Sequence, residues 1–324
     1  MAVYDVFNGD ADGICALIQL RLESPKSATL ITGVKRDISL LERVDAGEGD
    51  LITVLDVSML KNAQALEKNL VAGAQVFYAD HHQAGDIPSH SNLTALINPS
   101  SDICTGLIIN GHLKGKHYLW AITAAFGDNL IATATRVAKQ HGLTEHQTEQ
   151  LSRLGTYINY NGYGASLDDL FFHPATLYQE LLASGSPLDF INGYHPAYAT
   201  LEQGYLEDLE KAASAQTITN TESSAAKILP NERWARRVSG VYGNDLANQA
   251  PNKAHAVLTE QEVEGAKGYV VSIRAPLNNK VAADTLASQF PSGGGRKGAA
   301  GINFLPENKL SHFLSCLEST YAKT

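Results

Sequence analysis

The feature that most constrains the fold is the alternation of strand-like and helix-like segments in the first third of the chain. The strand-like runs are residues 3–7, 28–32, 51–55, 75–79 and 93–97. The helix-like runs between them are residues 14–22, 38–44 and 60–71. Parallel strands need long crossover connections, which are usually helices. The pattern therefore predicts an α/β fold whose parallel sheet is covered on both faces.

Acidic residues follow three of these predicted strands. Asp10, Asp56 and Asp80 each come just after a strand-like run, and Asp80 opens the triplet Asp80-His81-His82. An open parallel sheet gathers its ligands outside the carboxyl ends of its strands. Carboxylate oxygens and imidazole nitrogens at that edge suit hard divalent cations. The pattern indicates a metal-dependent phosphoesterase.

Two further aspartates extend this set. Asp12 follows Asp10 in the block Asp10-Ala11-Asp12-Gly13, and Asp128 follows an apolar run ending at Ala125. Any one of these aspartates taken alone is more often a helix cap or a turn residue. His82 alone could likewise be an ordinary buried histidine. The ordered combination favours a metal site.

The remainder of the chain predicts a second domain. Residues 103–182 are mainly helical in pattern, so the first domain is expected over 1–194. A helical linker over 195–225 ends in a polar loop rich in Ser, Thr and Asn. A smaller domain over 226–324 contains strand-like runs at 238–241, 255–258 and 269–273 and a helical run at 282–290.

Charge and composition narrow the class of substrate. Residues 1–224 hold 13 Lys and Arg against 26 Asp and Glu, whereas residues 225–324 hold 12 against 8. This acidic balance disfavours long duplex nucleic acid, whose binding needs many cationic phosphate contacts.

The three cysteines form no CxxC pair, which argues against a disulfide framework or a structural zinc site. With no signal-like start and no membrane-length apolar run, the protein is expected to be cytoplasmic.

The motifs resemble those of the DHH phosphoesterases over nearly the whole chain. Asp10-Ala11-Asp12-Gly13 resembles the first motif of that family, Asp56 the second, Asp80-His81-His82 the third and Asp128 the fourth. The C-terminal part is similar to the DHH-associated domain, through Val271-Ser272-Ile273-Arg274 and the glycine-rich run from Gly293 to Gly301. The resemblance implies a parallel-sheet DHH domain and a smaller α/β domain across a cleft.

The resemblance also implies two divalent cations, manganese first and magnesium as the alternative. Asp56 would bridge them, and Asp10 would hold the first. The second would be held by Asp12, His81 and Asp128. His82 would contact the substrate phosphate, and Asp80 would orient a neighbouring histidine.

One position departs from the family. Many members have a histidine four residues before the first aspartate, where this chain has Val6. Valine cannot ligate a metal, so Asn8 or a water is expected to fill that position.

The glycine-rich run predicts an anion site. The backbone amides of Gly293, Gly294 and Gly295 could bind phosphate oxygens, and Arg296 and Lys297 add positive charge. Arg274 is a second candidate for a phosphate clamp. The alternative is a turn that needs glycine for its backbone geometry.

The expected function is manganese-dependent hydrolysis of cyclic and linear dinucleotides or very short oligonucleotides, as in the nanoRNase branch of the family. The enzymatic alternatives are a 3′-phosphoadenosine-phosphate phosphatase and a polyphosphate or pyrophosphate hydrolase. The non-enzymatic alternative is a nucleotide sensor with a degenerate first metal site. A small nucleotide is the expected partner, and no membrane is expected to bind. A homodimer is possible.

A base could be bound by an aromatic and amide group, although helix packing is the commoner role of such residues. The group consists of Tyr157, Asn159, Tyr160, Asn161 and Tyr163.

Overall fold

The computed structural model describes residues 1–322, and they divide into two compact units, Met1–Gly204 and a second that begins at Tyr205. The first unit is built on a five-stranded sheet with the order β2-β1-β3-β4-β5, in which every pair is parallel. Its strands are β1 (Val3–Phe7), β2 (Thr29–Ile31), β3 (Leu51–Leu55), β4 (Gln75–Asp80) and β5 (Leu93–Ile97). The predicted α/β class and parallel sheet are confirmed.

Helices surround this sheet and complete the first unit. They are α1 (Ala11–Glu23), α2 (Ala63–Val71), α3 (Thr105–His112), α4 (Tyr118–Gly127), α5 (Ile131–Gln140), α6 (Glu145–Asn161), α7 (Pro174–Ala183) and α8 (Pro187–Asn192). The next helix, α9 (Pro196–Ala213), begins in the first unit and ends in the second. One face of the sheet packs its valines and isoleucines against Leu40, Leu41, Leu66 and Leu70. The predicted helix at residues 38–44 is only a 3₁₀ turn, Leu40–Arg43.

The second unit contains a mixed six-stranded sheet with the order β10-β11-β9-β8-β7-β6. Its strands are β6 (Gln216–Asn220), β7 (Ser224–Leu229), β8 (Ala254–Val263), β9 (Ala266–Arg274), β10 (Gly293–Arg296) and β11 (Ala299–Pro306). Its helices are α10 (Arg233–Gln249), α11 (Ala283–Ala287) and α12 (Leu310–Tyr321). Among the described strands of this sheet, only β7 and β8 pair in parallel.

Two predictions of local structure in this region were wrong. Residues 238–241 lie inside α10, where Ala235, Val238 and Tyr242 are buried at helical spacing. A four-residue segment with a valine at each end is too short to distinguish a strand from a buried helical stripe. The expected polar loop at the end of the linker contains β6, whose Thr217, Ile218 and Thr219 favour extended structure. Antiparallel pairing with β7 stabilises that strand.

Within residues 1–322, no helix is both long and apolar enough to span a membrane.

Candidate metal centre

The acidic residues and the two histidines lie where the sheet of the first unit ends. Asp10 follows β1 and caps α1, and Asp12 lies in the first turn of that helix. Asp56 follows β3 directly, and Asp80 is the last residue of β4. Because these strands are parallel, their carboxyl ends share one edge of the sheet. Asp128 joins them from the C-terminus of α4.

His81 is the centre of this group. Its Nδ1 lies 3.1 Å from the carbonyl oxygen of Ile103, which can only accept a hydrogen bond. Nδ1 therefore carries the proton, and Nε2 is left with a lone pair for a cation. Nε2 lies 3.4 Å from Asp56 Oδ1, 3.8 Å from Asp128 Oδ2 and 3.9 Å from Asp12 Oδ2. Two groups of potential ligand atoms share His81: those of Asp12, His81 and Asp128, and those of Asp56, His81 and His82. Within each group the atoms lie within 4.8 Å of one another, which suits a divalent cation.

The N-terminus of α3 fixes the carboxylate of Asp12. The amide of Thr105 donates to Oδ2 and the amide of Gly106 donates to Oδ1, each at 2.7 Å. Free amides at a helix N-terminus favour an anion. A Cβ at position 106 would lie only 2.5 Å from Ala124 Cβ, so glycine is needed for this close approach. Both oxygens of Asp12 are thus held in place and can still face a cation.

Asp56 shows why this cluster needs a cation. Its side chain is buried, and its backbone has φ +56°, an uncommon conformation for a residue other than glycine. Burial raises the pKa of its carboxyl well above the usual range, and the charges of Asp10, Asp12, Asp80 and Asp128 raise it further. A divalent cation would relieve this repulsion. The donor set of Asp12, Asp56, His81 and Asp128 therefore fits divalent-metal binding.

Asp128 is affected by the same neighbouring negative charges, although its side chain is more exposed than that of Asp56. Burial, followed by the charge of Asp12, raises the pKa of Asp128 to about 6. The ammonium group of Lys35 opposes this shift.

Asp80 holds His82. The Nδ1 of His82 lies 2.7 Å from Asp80 Oδ1, and this hydrogen bond is the main cause that raises the pKa of His82. Asp80 is completely buried, and its Oδ2 has no hydrogen-bond partner among the described residues. The side chain of His82 is 46% exposed, which leaves its Nε2 available to a substrate. The neighbour that Asp80 was expected to orient is therefore His82.

Asp10 is arranged differently from the sequence-based expectation. Its Oδ1 accepts hydrogen bonds from the amides of Asp12 and Gly13, and its Oδ2 pairs with Lys35 Nζ. Burial alone would raise the pKa of Asp10, but Lys35 reverses the shift and holds that pKa below its usual value. In the part of the chain that the structure describes, neither group of potential metal ligands includes Asp10. The residues at the expected first-cation position do not fit a divalent ion.

Sequence reasoning did not identify Lys35. It follows β2 by four residues, so it lies at the same edge of the sheet as the acidic residues. Its position shortly after a predicted strand could have indicated that Lys35 lies at this edge.

The residues expected to compensate for the missing histidine have other contacts. Val6 is completely buried in the apolar core beneath the sheet. Asn8 is buried, and its Nδ2 donates to the backbone carbonyl of Lys35 at 3.2 Å. Asn8 thus holds the Lys35 loop, and its Oδ1 has no protein partner within residues 1–322.

Among the residues from 157 to 163 that were expected to bind a base or to pack a helix, some make packing contacts and others lie beside Lys35. Tyr157 hydrogen-bonds to Glu202 and packs on Tyr198, and Asn161 binds the backbone of Phe172. Asn159 instead accepts a hydrogen bond from Lys35, and the ring of Tyr163 lies 6.0 Å from Lys35 Nζ.

The anion-binding candidates lie in the second unit. The glycine-rich run forms β10, an edge strand paired with β11, followed by a turn at Lys297 and Gly298. Arg296 and Lys297 are both exposed. A Cβ at Gly293 would lie 1.9 Å from the Ala287 carbonyl oxygen, whereas one at Gly294 would meet open space. Packing therefore requires the first of these glycines.

Arg274 is held inside the second unit. Its Nη1 donates to Ser272 Oγ at 3.0 Å, its Nη2 donates to the Gly240 carbonyl at 3.0 Å, and its Nε donates to Asn244. Arg274 thereby joins β9 to α10. Its predicted contact with substrate stays a prediction.

The first unit thus has a five-stranded parallel sheet with the triplet Asp80-His81-His82 at the end of its fourth strand, as the DHH resemblance predicted. No protein-family model and no curated protein sequence matches the chain. Several solved structures do match the chain, and their likeness confirms the fold that the DHH resemblance predicted.

Three of these structures cover the chain almost completely. Manganese-bound exonuclease RecJ is 16% identical with a TM-score of 0.60, covering 100% of this chain and 90% of its own. RecJ from Thermus thermophilus in complex with Mn²⁺ is 15% identical with a TM-score of 0.58; this chain is covered fully but spans only 52% of that protein. The pGpG-specific phosphodiesterase PggH from Vibrio cholerae is 14% identical with a TM-score of 0.57, covering 98% of both chains.

Proposed function

We propose that this protein is a manganese-dependent phosphodiesterase that cleaves linear dinucleotides, and at most very short oligonucleotides, to mononucleotides. The observation that carries the proposal is the convergence of Asp12, Asp56 and Asp128 on His81 Nε2. Buried carboxylates whose mutual repulsion calls for a cation are typical of metal-assisted phosphoryl transfer.

The preference for a two-base substrate is supported by two observations. The likeness to the pGpG-specific phosphodiesterase extends over nearly the whole of both chains. The net charge of −9 disfavours a long polyanion. Cyclic dinucleotides are a second substrate class of the same chemistry.

Different side chains would bind the cation and the substrate phosphate. A divalent cation, when bound, supplies positive charge to the phosphoryl oxygens and acidifies water. Asp12, Asp56, His81 and Asp128 would hold it. His82 would donate a hydrogen bond from Nε2 to a phosphate oxygen, since Asp80 occupies its Nδ1 and favours its protonated form. Arg296 and Lys297 would bind the substrate phosphate with fixed positive charge.

The test is a hydrolysis panel with added Mn²⁺, resolved by chromatography. It contains pGpG, cyclic di-GMP, a series of longer oligonucleotides, 3′-phosphoadenosine phosphate and polyphosphate. Mononucleotide release from pGpG is the expected result. Turnover of only the bisphosphate or polyphosphate would overturn the substrate assignment, and tight nucleotide binding without product would favour a sensor.

Matched histidine variants connect the activity to the site. His81→Ala should abolish turnover and Mn²⁺ binding, because it removes the central ligand. His90→Ala changes an exposed histidine outside the cluster and should retain both. Full activity in His81→Ala would contradict the proposed centre.

A further inference from the structure

Lys35 occupies a position in the first unit that is built like a cation site. Its Nζ pairs with Asp10 Oδ2, lies 2.9 Å from Asn159 Oδ1 and lies 3.8 Å from Asp128 Oδ1. These three oxygen atoms come from the start of α1, from α6 and from the end of α4. Anionic and amide oxygens from separate elements thus surround one ammonium group.

The partner Asp10 has little capacity left for a metal ion. Asp10 is 2% exposed, its Oδ1 accepts two backbone amides at 3.0 and 3.1 Å, and its Oδ2 is paired with Lys35. A divalent cation bound to Oδ2 would have to displace the ammonium group. The carboxylate is therefore already neutralised by the protein itself.

The backbone holds Lys35 in this position. Its amide donates to the Gly162 carbonyl at 2.8 Å, and its carbonyl accepts from Asn8 Nδ2. The loop approaches β1 so closely that a Cβ at Gly9 would lie 1.9 Å from the Gly33 carbonyl oxygen. The side chain is only 29% exposed, and the ring of Tyr163 lies beside it. These contacts make the lysine a fixed part of the site rather than a mobile surface group.

We propose that the ammonium group of Lys35 takes the place of one of the two cations expected at this centre, so that the protein binds a single divalent cation through Asp12, Asp56, His81 and Asp128. The inference rests on the proposed divalent-metal centre and deepens it, but it does not depend on the choice of substrate. Lys35 supplies a permanent positive charge next to Asp10 that chelators cannot remove. Val6 agrees with this arrangement, since its buried side chain offers no ligand to a second ion.

The direct test counts the metal. The full chain is stripped with chelator, dialysed to equilibrium against Mn²⁺ and measured by elemental analysis and low-temperature electron paramagnetic resonance. One Mn²⁺ per chain with a mononuclear spectrum is expected. Two Mn²⁺ per chain with a spin-coupled spectrum would overturn the proposal and would point to Asn8 Oδ1 and Asp10 as ligands of a second ion.

Two substitutions show whether the lysine charge is responsible. Lys35→Met keeps much of the side-chain length but removes the charge, so Asp10 should become available and the metal content should rise above one per chain. Lys35→Arg keeps the charge and should remain at one. A Lys35→Met protein that melts normally and still binds one Mn²⁺ would show that the lysine does not exclude a second ion.

A matched control and a separate assay complete the design. Lys116→Met removes an exposed lysine that pairs with Glu23, and it should leave the metal content at one. Hydrolysis of pGpG is assayed independently of metal content. Binding of a single metal ion without any hydrolysis would refute the proposed function but would support this inference. Hydrolysis with two bound ions would support the proposed function but would refute this inference.

Discussion

Most of the metal-facing side chains are fixed by neighbours that do not face the cation. Asp12 is held by two amides of α3, and His81 is held by the Ile103 carbonyl. His82 is held by Asp80. Such supporting contacts set the orientation and the basicity of the reacting groups, and losing one typically costs about 10–100-fold in metal affinity or activity.

Asp80→Asn tests this support at His82. The substitution keeps the shape but removes the charge, so turnover should fall about 10–100-fold. The hydrogen bond that His82 Nδ1 donates to Asp80 raises the pKa of His82, and protonated His82 is the proposed active form. The alkaline limb of the kcat profile should therefore move to lower pH. Asp86→Asn, at an exposed aspartate, is the control, and an unshifted limb in Asp80→Asn would argue against this role.

The pKa of Asp128 predicts how the metal-free protein responds to pH. Its carboxyl titrates at about 6 in the folded chain and at about 3.9 when unfolded. Between these values the folded state binds more protons, so its contribution to stability is lost as pH rises from about 4 to about 6. Asp128→Asn should flatten this part of the Tm-against-pH curve in chelator. Identical slopes for the variant and the unmodified protein would contradict the shift.

At the scale of elements, α1 links the sheet to the metal centre. Its N-terminus carries Asp10 and Asp12, and its Arg21 donates to Asp5 of β1 and to Thr53 of β3. Arg21 and Asp5 are both buried. This ion pair fixes α1 against the strands whose ends carry the acidic residues.

Arg21→Ala should therefore be strongly destabilising. It leaves Asp5 as an unpaired buried charge, a change that typically costs about 3–5 kcal/mol. Urea unfolding followed by fluorescence would measure the loss. Arg136→Ala, at an exposed arginine of α5, should have little effect, and equal midpoints for the two variants would show that the pair contributes nothing.

The site also depends on how closely helices α4 and α6 pack where they cross. A Cβ at Gly155 would lie 2.3 Å from the Thr123 carbonyl oxygen and 2.9 Å from the Gly127 amide, next to Asp128. This close approach sets where Asp128 emerges from α4.

Gly155→Ala should force the two helices apart and cost about 1–3 kcal/mol. It should also weaken Mn²⁺ binding by displacing Asp128. Gly111→Ala is the matched control, because a Cβ there meets open space in a helix. That control should be neutral or stabilise by up to about 1 kcal/mol. Thermal melts and Mn²⁺ titrations of both variants check the prediction, which fails if Gly155→Ala behaves like Gly111→Ala.

At the scale of the whole molecule, charge limits what the protein can bind. The acidic first 224 residues lack the cationic contacts that a long nucleic acid would need.

Catalytic efficiency should therefore fall steeply with substrate length. The value of kcat/KM for a dinucleotide should exceed that for a long oligonucleotide, and added salt should lower it only weakly because few counterions are released. The measurement is a length series at two ionic strengths. Equal efficiency on long strands would indicate an exonuclease.

The sequence by itself determined the α/β class, the parallel sheet and the acidic residues at its edge. Those features are local, because strand periodicity and the residue that follows a strand can be read without knowing any partner. Local patterns gave a wrong prediction at residues 238–241, where the segment Val238-Ser239-Gly240-Val241 is too short to show a period and lies inside α10.

Only the tertiary structure decided the contacts made over long separations along the chain. Lys35 meets Asp10 and Asn159, which are 25 and 124 residues away, and no local pattern marks it as their partner. The folded chain also decided that Asn8 holds this loop and that Ile103 sets the tautomer of His81. The physical reason is that the charge and protonation of a buried group depend on its neighbours in space, and folding alone brings those neighbours together.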